Sequence, residues 1–125
     1  MSNRPMQTVA PAQAAAWLDA SEAILIDVRE PVEFAAEHIE QATSIPLGQV
    51  AASMPGMAVP EGRRIIVMCL SGGRSSHACM VVNNQFPDRE VYNLAGGLAA
   101  WKRAGLPVVA QPAGPGFFRS LWQSR

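Results

Sequence analysis

The chain has 125 residues, 49% hydrophobic and 16% charged, which is enough apolar material for the core of one domain and too much for a disordered chain. Lys plus Arg and Asp plus Glu number 10 each, so no net field draws the protein toward nucleic acid or an anionic membrane. Two cysteines (Cys69, Cys79) and two histidines (His38, His77) have neither disulfide-framework nor zinc spacing, so no disulfide scaffold and no metal site are expected.

Residues 1–7 read as a polar lead-in. They lack a charged start followed by an apolar run, and no stretch approaches the roughly 20 apolar residues that span a bilayer, so a soluble cytoplasmic protein is expected. Pro11 to Ala20 is Ala-rich with proline near its start, a helix pattern. Ala23 to Val28 is a continuous apolar run with β-branched residues, as in a strand covered on both faces. Glu30 to Glu37 follows as a helix with Pro31 in its first turn. Thr43 to Pro46 is a weaker strand candidate, and Gly48 to Met54 a short helix. Arg64 to Cys69 is the second strong strand. Ser75 to Gln85 is helical, with Ala78, Met80, Val81 and Val82 on overlapping faces. Glu90 to Leu94 is a further strand candidate. Gly97 to Ala104 is a helix that carries Leu98 and Trp101 inward and stops at Gly105. Strands alternating with helices predict an α/β domain with a mainly parallel sheet over residues 8–110. Residues 111–125 divide into a Pro/Gly linker and an aromatic segment, Phe117 to Arg125. Docking on its own domain or a homodimer contact is the leading expectation for that segment, with a partner or a membrane surface as the other readings.

In parallel sheets, sites form beyond the carboxyl ends of strands. Cys69-Leu70-Ser71-Gly72-Gly73-Arg74-Ser75 begins at such an end and runs into a helix. Gly72 and Gly73 permit unusual backbone angles, so main-chain N–H groups can turn inward as an anion cradle. A cysteine there becomes a better thiolate and hence a nucleophile. The plain alternative is a buried packing cysteine, but packing needs no cradle. Phosphoryl transfer and sulfur transfer both use this arrangement. Cysteine phosphatases carry Cys-x5-Arg, whereas Arg74 gives Cys-x4-Arg, a smaller loop suited to one added sulfur atom. Arg74 is either a solvated helix-start residue or, as the favoured reading, a contact for a substrate anion.

Four segments in order resemble the rhodanese family: Asp27-Val28-Arg29-Glu30 with Glu33-Phe34; His38-Ile39 with Ala42 to Leu47; the Cys69 to Ser75 loop; and Tyr92-Asn93-Leu94-Ala95-Gly96-Gly97 with Trp101. Glu37 and Gln41 replace two glycines common there, and Leu70 replaces a polar or basic residue of some relatives. The resemblance covers roughly Thr8 to Val109. It implies a five-stranded mainly parallel sheet flanked by helices on both faces, and a Cys69 persulfide formed from thiosulfate or a persulfide donor and discharged to cyanide or a thiol. It implies no cofactor.

Asp27 and Arg29 are supporting residues at a strand end, with Arg29 expected to pair with Glu30 or Glu33. Ser71 and Ser75 are expected to bond the loop or cap the helix. His38 reads as structural, His77 as a surface residue and Cys79 as core. Thiosulfate sulfurtransferase activity is the leading expectation. A persulfide carrier with a protein acceptor is the alternative, ahead of a cysteine phosphatase and a non-catalytic interaction domain. The partners expected are therefore a small sulfur donor, a thiol or cyanide acceptor and a candidate protein acceptor, with no nucleic acid.

Overall fold

The computed structural model describes residues 6–110. Most of the lead-in, the linker and the aromatic segment with its expected docking or dimer contact lie outside the described residues. Five strands form one sheet: β1 (Gln7–Val9), β2 (Ala23–Asp27), β3 (Ala42–Ser44), β4 (Arg64–Met68) and β5 (Val91–Leu94), in the order β1-β5-β4-β2-β3. Every pairing is parallel, with Asp27 opposite Met68 and Val67 opposite Asn93. The helices are α1 (Pro11–Asp19), α2 (Pro31–Ala36), α3 (Val50–Ser53, flanked by 3-10 turns), α4 (Gly73–Gln85) and α5 (Gly97–Arg103).

The two apolar runs become the central strands β2 and β4 because each needs cover on both faces. Side chains alternate across the pleat. Ile26 and Val28, with Ile65, Val67 and Cys69, meet Val50, Met54, Ala78, Cys79 and Val82 on the face of α3 and α4. Leu25, Ile66 and Met68 meet Ala14, Leu18, Leu98 and Trp101 on the face of α1 and α5. Complete burial of Ile65, Ile66 and Val67 contributes about 1.5–3 kcal/mol per side chain. This is the helix–sheet–helix sandwich that the pattern and the resemblance imply.

Three local differences have physical causes. β1 has one buried residue, Val9, and so too little pattern to be read; it exists because β5 offers an open edge. α4 starts two residues earlier than Ser75, because Gly72 at φ 113° ends the loop and caps the helix. Met80 points to solvent, and the inner face of α4 is Ser75, Ala78, Cys79 and Val82.

Candidate functional site

Cys69 follows β4 and keeps the facing of Ile65 and Val67, which puts its sulfur under the first turn of α4. The first N–H groups of a helix have no partner within it. Here two groups from this turn and its entry aim at the sulfur: Gly72 N donates at 3.0 Å and Ser75 N at 3.4 Å. The thiol itself donates to Ser75 Oγ at 3.5 Å.

The loop is turned toward the sulfur from the opposite side. Leu98 N donates to the Cys69 carbonyl at 2.8 Å, and Ala99 N to the Leu70 carbonyl at 3.0 Å. A trans peptide carries its N–H opposite its C=O, so holding the Leu70 carbonyl on α5 sends the Ser71 N–H the other way. This approach is close enough to require glycine. A Cβ at Gly97, whose φ is 59°, would collide with the Cys69 carbonyl oxygen and lie 2.6 Å from the Leu70 carbonyl. The sequence marks Gly96 and Gly97 as a tight turn at a helix start that could close one wall of the pocket; the contact that constrains Gly97 comes from another part of the chain.

Cys69 is 1% exposed, yet Leu70 beside it is 45% exposed and Ser71 and Gly73 are also open. The sulfur thus lies at the floor of a cradle with an open rim. Burial pushes the thiol up, but the Ser75 hydroxyl and the N–H groups of Ser75, Gly72 and Ser71 outweigh it and bring the thiol below its ordinary value.

Several roles expected from the sequence change once the side chains are placed. Gly73 takes no left-handed conformation and has open space at its Cβ position, so Gly72 alone supplies the backbone freedom. Arg74 does not stand free for an anion. Its Nη1 and Nη2 fork onto Glu33 of α2 at 2.7 and 3.1 Å, and Glu33 is lowered to about 2 chiefly by that contact. Glu33 is thereby the main charge on Arg74, with the Cys69 thiolate a lesser one. Arg29 pairs with neither the Glu30 nor the Glu33 carboxylate. It grips Asp27 through Nε and Nη2 (2.8–3.2 Å) and reaches the Glu37 carbonyl at 2.8 Å and the Glu33 carbonyl at 3.4 Å. Asp27 and Arg29 are both buried, so they brace α2 against the end of β2 rather than line the cradle. His38 stacks on Phe34 with a ring separation of 3.8 Å and bonds its carbonyl, a structural position. His77 is exposed. Cys79 is buried one turn below Ser75, and burial followed by the Cys69 charge pushes its thiol up to about 12.

Sequence alone gives Asn93 no role. In the fold it is buried on β5 and bonds Ser75, Ser76 and Gly72 at once. The signal that could have found it is an Asn inside an otherwise apolar strand, since a buried amide needs partners.

A family model described as a rhodanese-like domain matches residues 10–104. A sulfurtransferase of Allochromatium vinosum is 38% identical over 92 residues, covering 74% of this chain and 83% of that protein. The uncharacterized protein slr1261 of Synechocystis sp. is 38% identical over 108 residues, covering 86% of this chain; the match spans 59% of that protein's length. Among solved structures, a thiosulfate sulfurtransferase from Pseudomonas aeruginosa superposes with a TM-score of 0.74 at 25% identity, over 90% of this chain and 21% of that one.

Proposed function

From the premise that the chain belongs to the rhodanese-like domain family of sulfurtransferases, we propose that it carries sulfane sulfur as a persulfide on Cys69. The observation that supports this best is the convergence of main-chain N–H groups on one sulfur, at 3.0 Å from Gly72 and 3.4 Å from Ser75.

In the first half-reaction the Cys69 thiolate attacks the outer sulfur of thiosulfate. A bond forms between Sγ and that sulfur, the donor's sulfur–sulfur bond breaks, and sulfite leaves with the electron pair. In the second, cyanide or a thiolate attacks the terminal sulfur and Cys69 departs as thiolate. The reacting thiolate and the persulfide it becomes are both anions, so the N–H groups fixed around the sulfur stabilise each. Thiosulfate and cyanide should release thiocyanate, and Cys69→Ser should abolish it. Undiminished thiocyanate release by Cys69→Ser would reject the nucleophile.

A protein acceptor is the second reading, and two features favour it. Arg74, the cation nearest the loop in sequence, is engaged by Glu33, which weakens its pull on a small dianion. Leu70, at the rim, is an exposed apolar side chain suited to a protein surface. Cys69 persulfide that passes its sulfur to a protein thiol faster than to cyanide would select this reading over the first.

A further inference from the structure

Asn93 sits beneath the cradle and does not touch the sulfur. Its side chain is 6% exposed, and both ends of its amide are engaged. Nδ2 donates to the Gly72 carbonyl at 3.2 Å and to Ser76 Oγ at 3.1 Å. Ser76 Oγ in turn donates to the same Gly72 carbonyl at 2.8 Å. A carbonyl only accepts, so the amide edge facing Gly72 is its nitrogen. That leaves Oδ1 against Ser75 Oγ at 2.5 Å, and because Oδ1 also only accepts, Ser75 must donate.

Ser75 has one hydroxyl proton and three acceptors in reach: Asn93 Oδ1 at 2.5 Å, the Gly72 carbonyl at 3.2 Å and Cys69 Sγ at 3.5 Å. The Gly72 carbonyl is already served by Ser76 Oγ, Ser76 N and Asn93 Nδ2. The contest is therefore between Asn93 and the sulfur. While Cys69 is a thiol there is no conflict, because S–H donates to Ser75 Oγ and Ser75 donates onward to Asn93. When the Cys69 proton leaves to solvent, the thiolate keeps the Gly72 and Ser75 N–H groups and gains a further donor when the hydroxyl rotates from Asn93 toward the sulfur.

We propose that Asn93 is a positioning residue that governs the hydrogen bonding of Cys69 through Ser75, holding the Ser75 proton for the thiol form and yielding it to the thiolate. This rests on the reading of Cys69 as the reactive thiol. Among the described residues, the other ionisable groups near the sulfur are Arg74 and Cys79 on α4 and, through Arg74, Glu33 on α2. On β2, Asp27 and Arg29 are closed on one another. The amide of Asn93 is bonded instead to neutral groups: the two serine hydroxyls, the Gly72 carbonyl and, more distantly, Met6 Sδ at 4.0 Å.

The test is the pH dependence of Cys69 alkylation by iodoacetamide, located by peptide mass spectrometry, in four proteins: the natural chain, Asn93→Ala, Ser75→Ala and the double variant. With Ser75 present, Asn93→Ala frees the hydroxyl for the thiolate and lowers the inflection by about 0.5–1 pH unit, the scale of one hydrogen bond to a charged group. With Ala at position 75 the same change has no hydroxyl to release, and the inflection stays in place. An equal shift in both backgrounds would mean that Asn93 merely packs the loop, and the proposal would fall. Asn93→Asp, close to isosteric, covers the case in which Asn93→Ala does not fold. Its charge alone raises the inflection in either background, so it is read with Ser75 and with Ser75→Ala. A larger rise with Ser75 present is expected, because the carboxylate holds the Ser75 proton harder, and equal rises overturn the proposal. Alkylation requires no sulfur donor, so a flat cycle with a reactive Cys69 sinks only the Asn93 role. A Cys69 that resists alkylation throughout would instead count against the proposed function.

Discussion

Cys69 and Cys79 are both buried and face the same layer of the core, yet their thiols are displaced in opposite directions. Desolvation disfavours the thiolate at each. At Cys69 the Ser75 hydroxyl and three N–H groups outweigh that cost; at Cys79 nothing does, and the neighbouring Cys69 charge adds to it. Iodoacetamide near pH 8 should therefore label Cys69 and spare Cys79 in the folded protein, as peptide mass spectrometry can measure. Appearance of label on Cys79 at the same rate would contradict the assignment. The sign of the linkage follows for stability. With a folded value near 12 against an ordinary 9.0, Cys79 costs nothing below about pH 9 and destabilises progressively as pH rises toward 12. Glu33 runs the other way: from 4.5 it is lowered to about 2, so its contribution is present above pH 4.5 and is lost as pH falls toward 2. The pair is part-exposed and salt weakens it. Glu33→Gln should flatten the acid limb of the stability profile. It should also release Arg74, lowering the KM for thiosulfate about two- to fivefold, the scale of a pair worth ~0.5–1 kcal/mol.

At the scale of elements, α2 is held by its ends. None of its residues is buried, so it gains little from the core. Glu33 Oε1 accepts the Glu30 N–H at 2.9 Å at its start, and Arg29 secures its end by bonding the Glu33 and Glu37 carbonyls. Arg29→Ala leaves Asp27 buried and unpaired, a change expected to cost about 3–5 kcal/mol in urea unfolding. Arg29→Lys should recover little of that, because an ammonium cannot fork onto a carboxylate and two carbonyls together. The glycines of the two helix starts should also separate. Gly97→Ala drives a methyl into the Cys69 and Leu70 backbone and should slow Cys69 alkylation at pH 8 at least tenfold, because ~1.4 kcal/mol of lost thiolate stabilisation is enough. Gly73→Ala meets open space in a helical conformation and should leave folding intact or strengthen it by up to ~1 kcal/mol. Comparable losses in the two variants would refute the close approach of α5 to the loop.

Across the whole molecule, the order β1-β5-β4-β2-β3 puts β4 at the centre, with its carboxyl end flanked by those of β2 and β5. The cradle thus draws on two strands and two helices: Cys69 after β4, Asn93 on β5, and the starts of α4 and α5, while the end of β2 braces α2 beside it. Amide exchange should accordingly be slowest in β4 and β2 and fast in α2, none of whose residues is fully buried. Uniform exchange across the sheet and α2 would argue against this division of stability.

The sequence by itself favoured the central strands. Ile65 to Met68 and Leu25 to Val28 are nearly all apolar without alternation, which calls for burial on both sides, and their shortness and Val/Ile content point to strand over buried helix. It was enough to set Cys69 and Gly72 beside a helix start, because these are adjacent along the chain and their geometry is local. Tertiary structure decided everything carried by partners far apart in sequence. β1 exists through pairing with β5, Arg74 is engaged by Glu33, and the Ser71 N–H is turned toward the sulfur because α5 holds the Leu70 carbonyl. Asn93 finds Ser75 only when β5 closes beside β4. A side chain's local pattern states what it can bond, whereas the assembled sheet determines which of those partners arrives and at what distance.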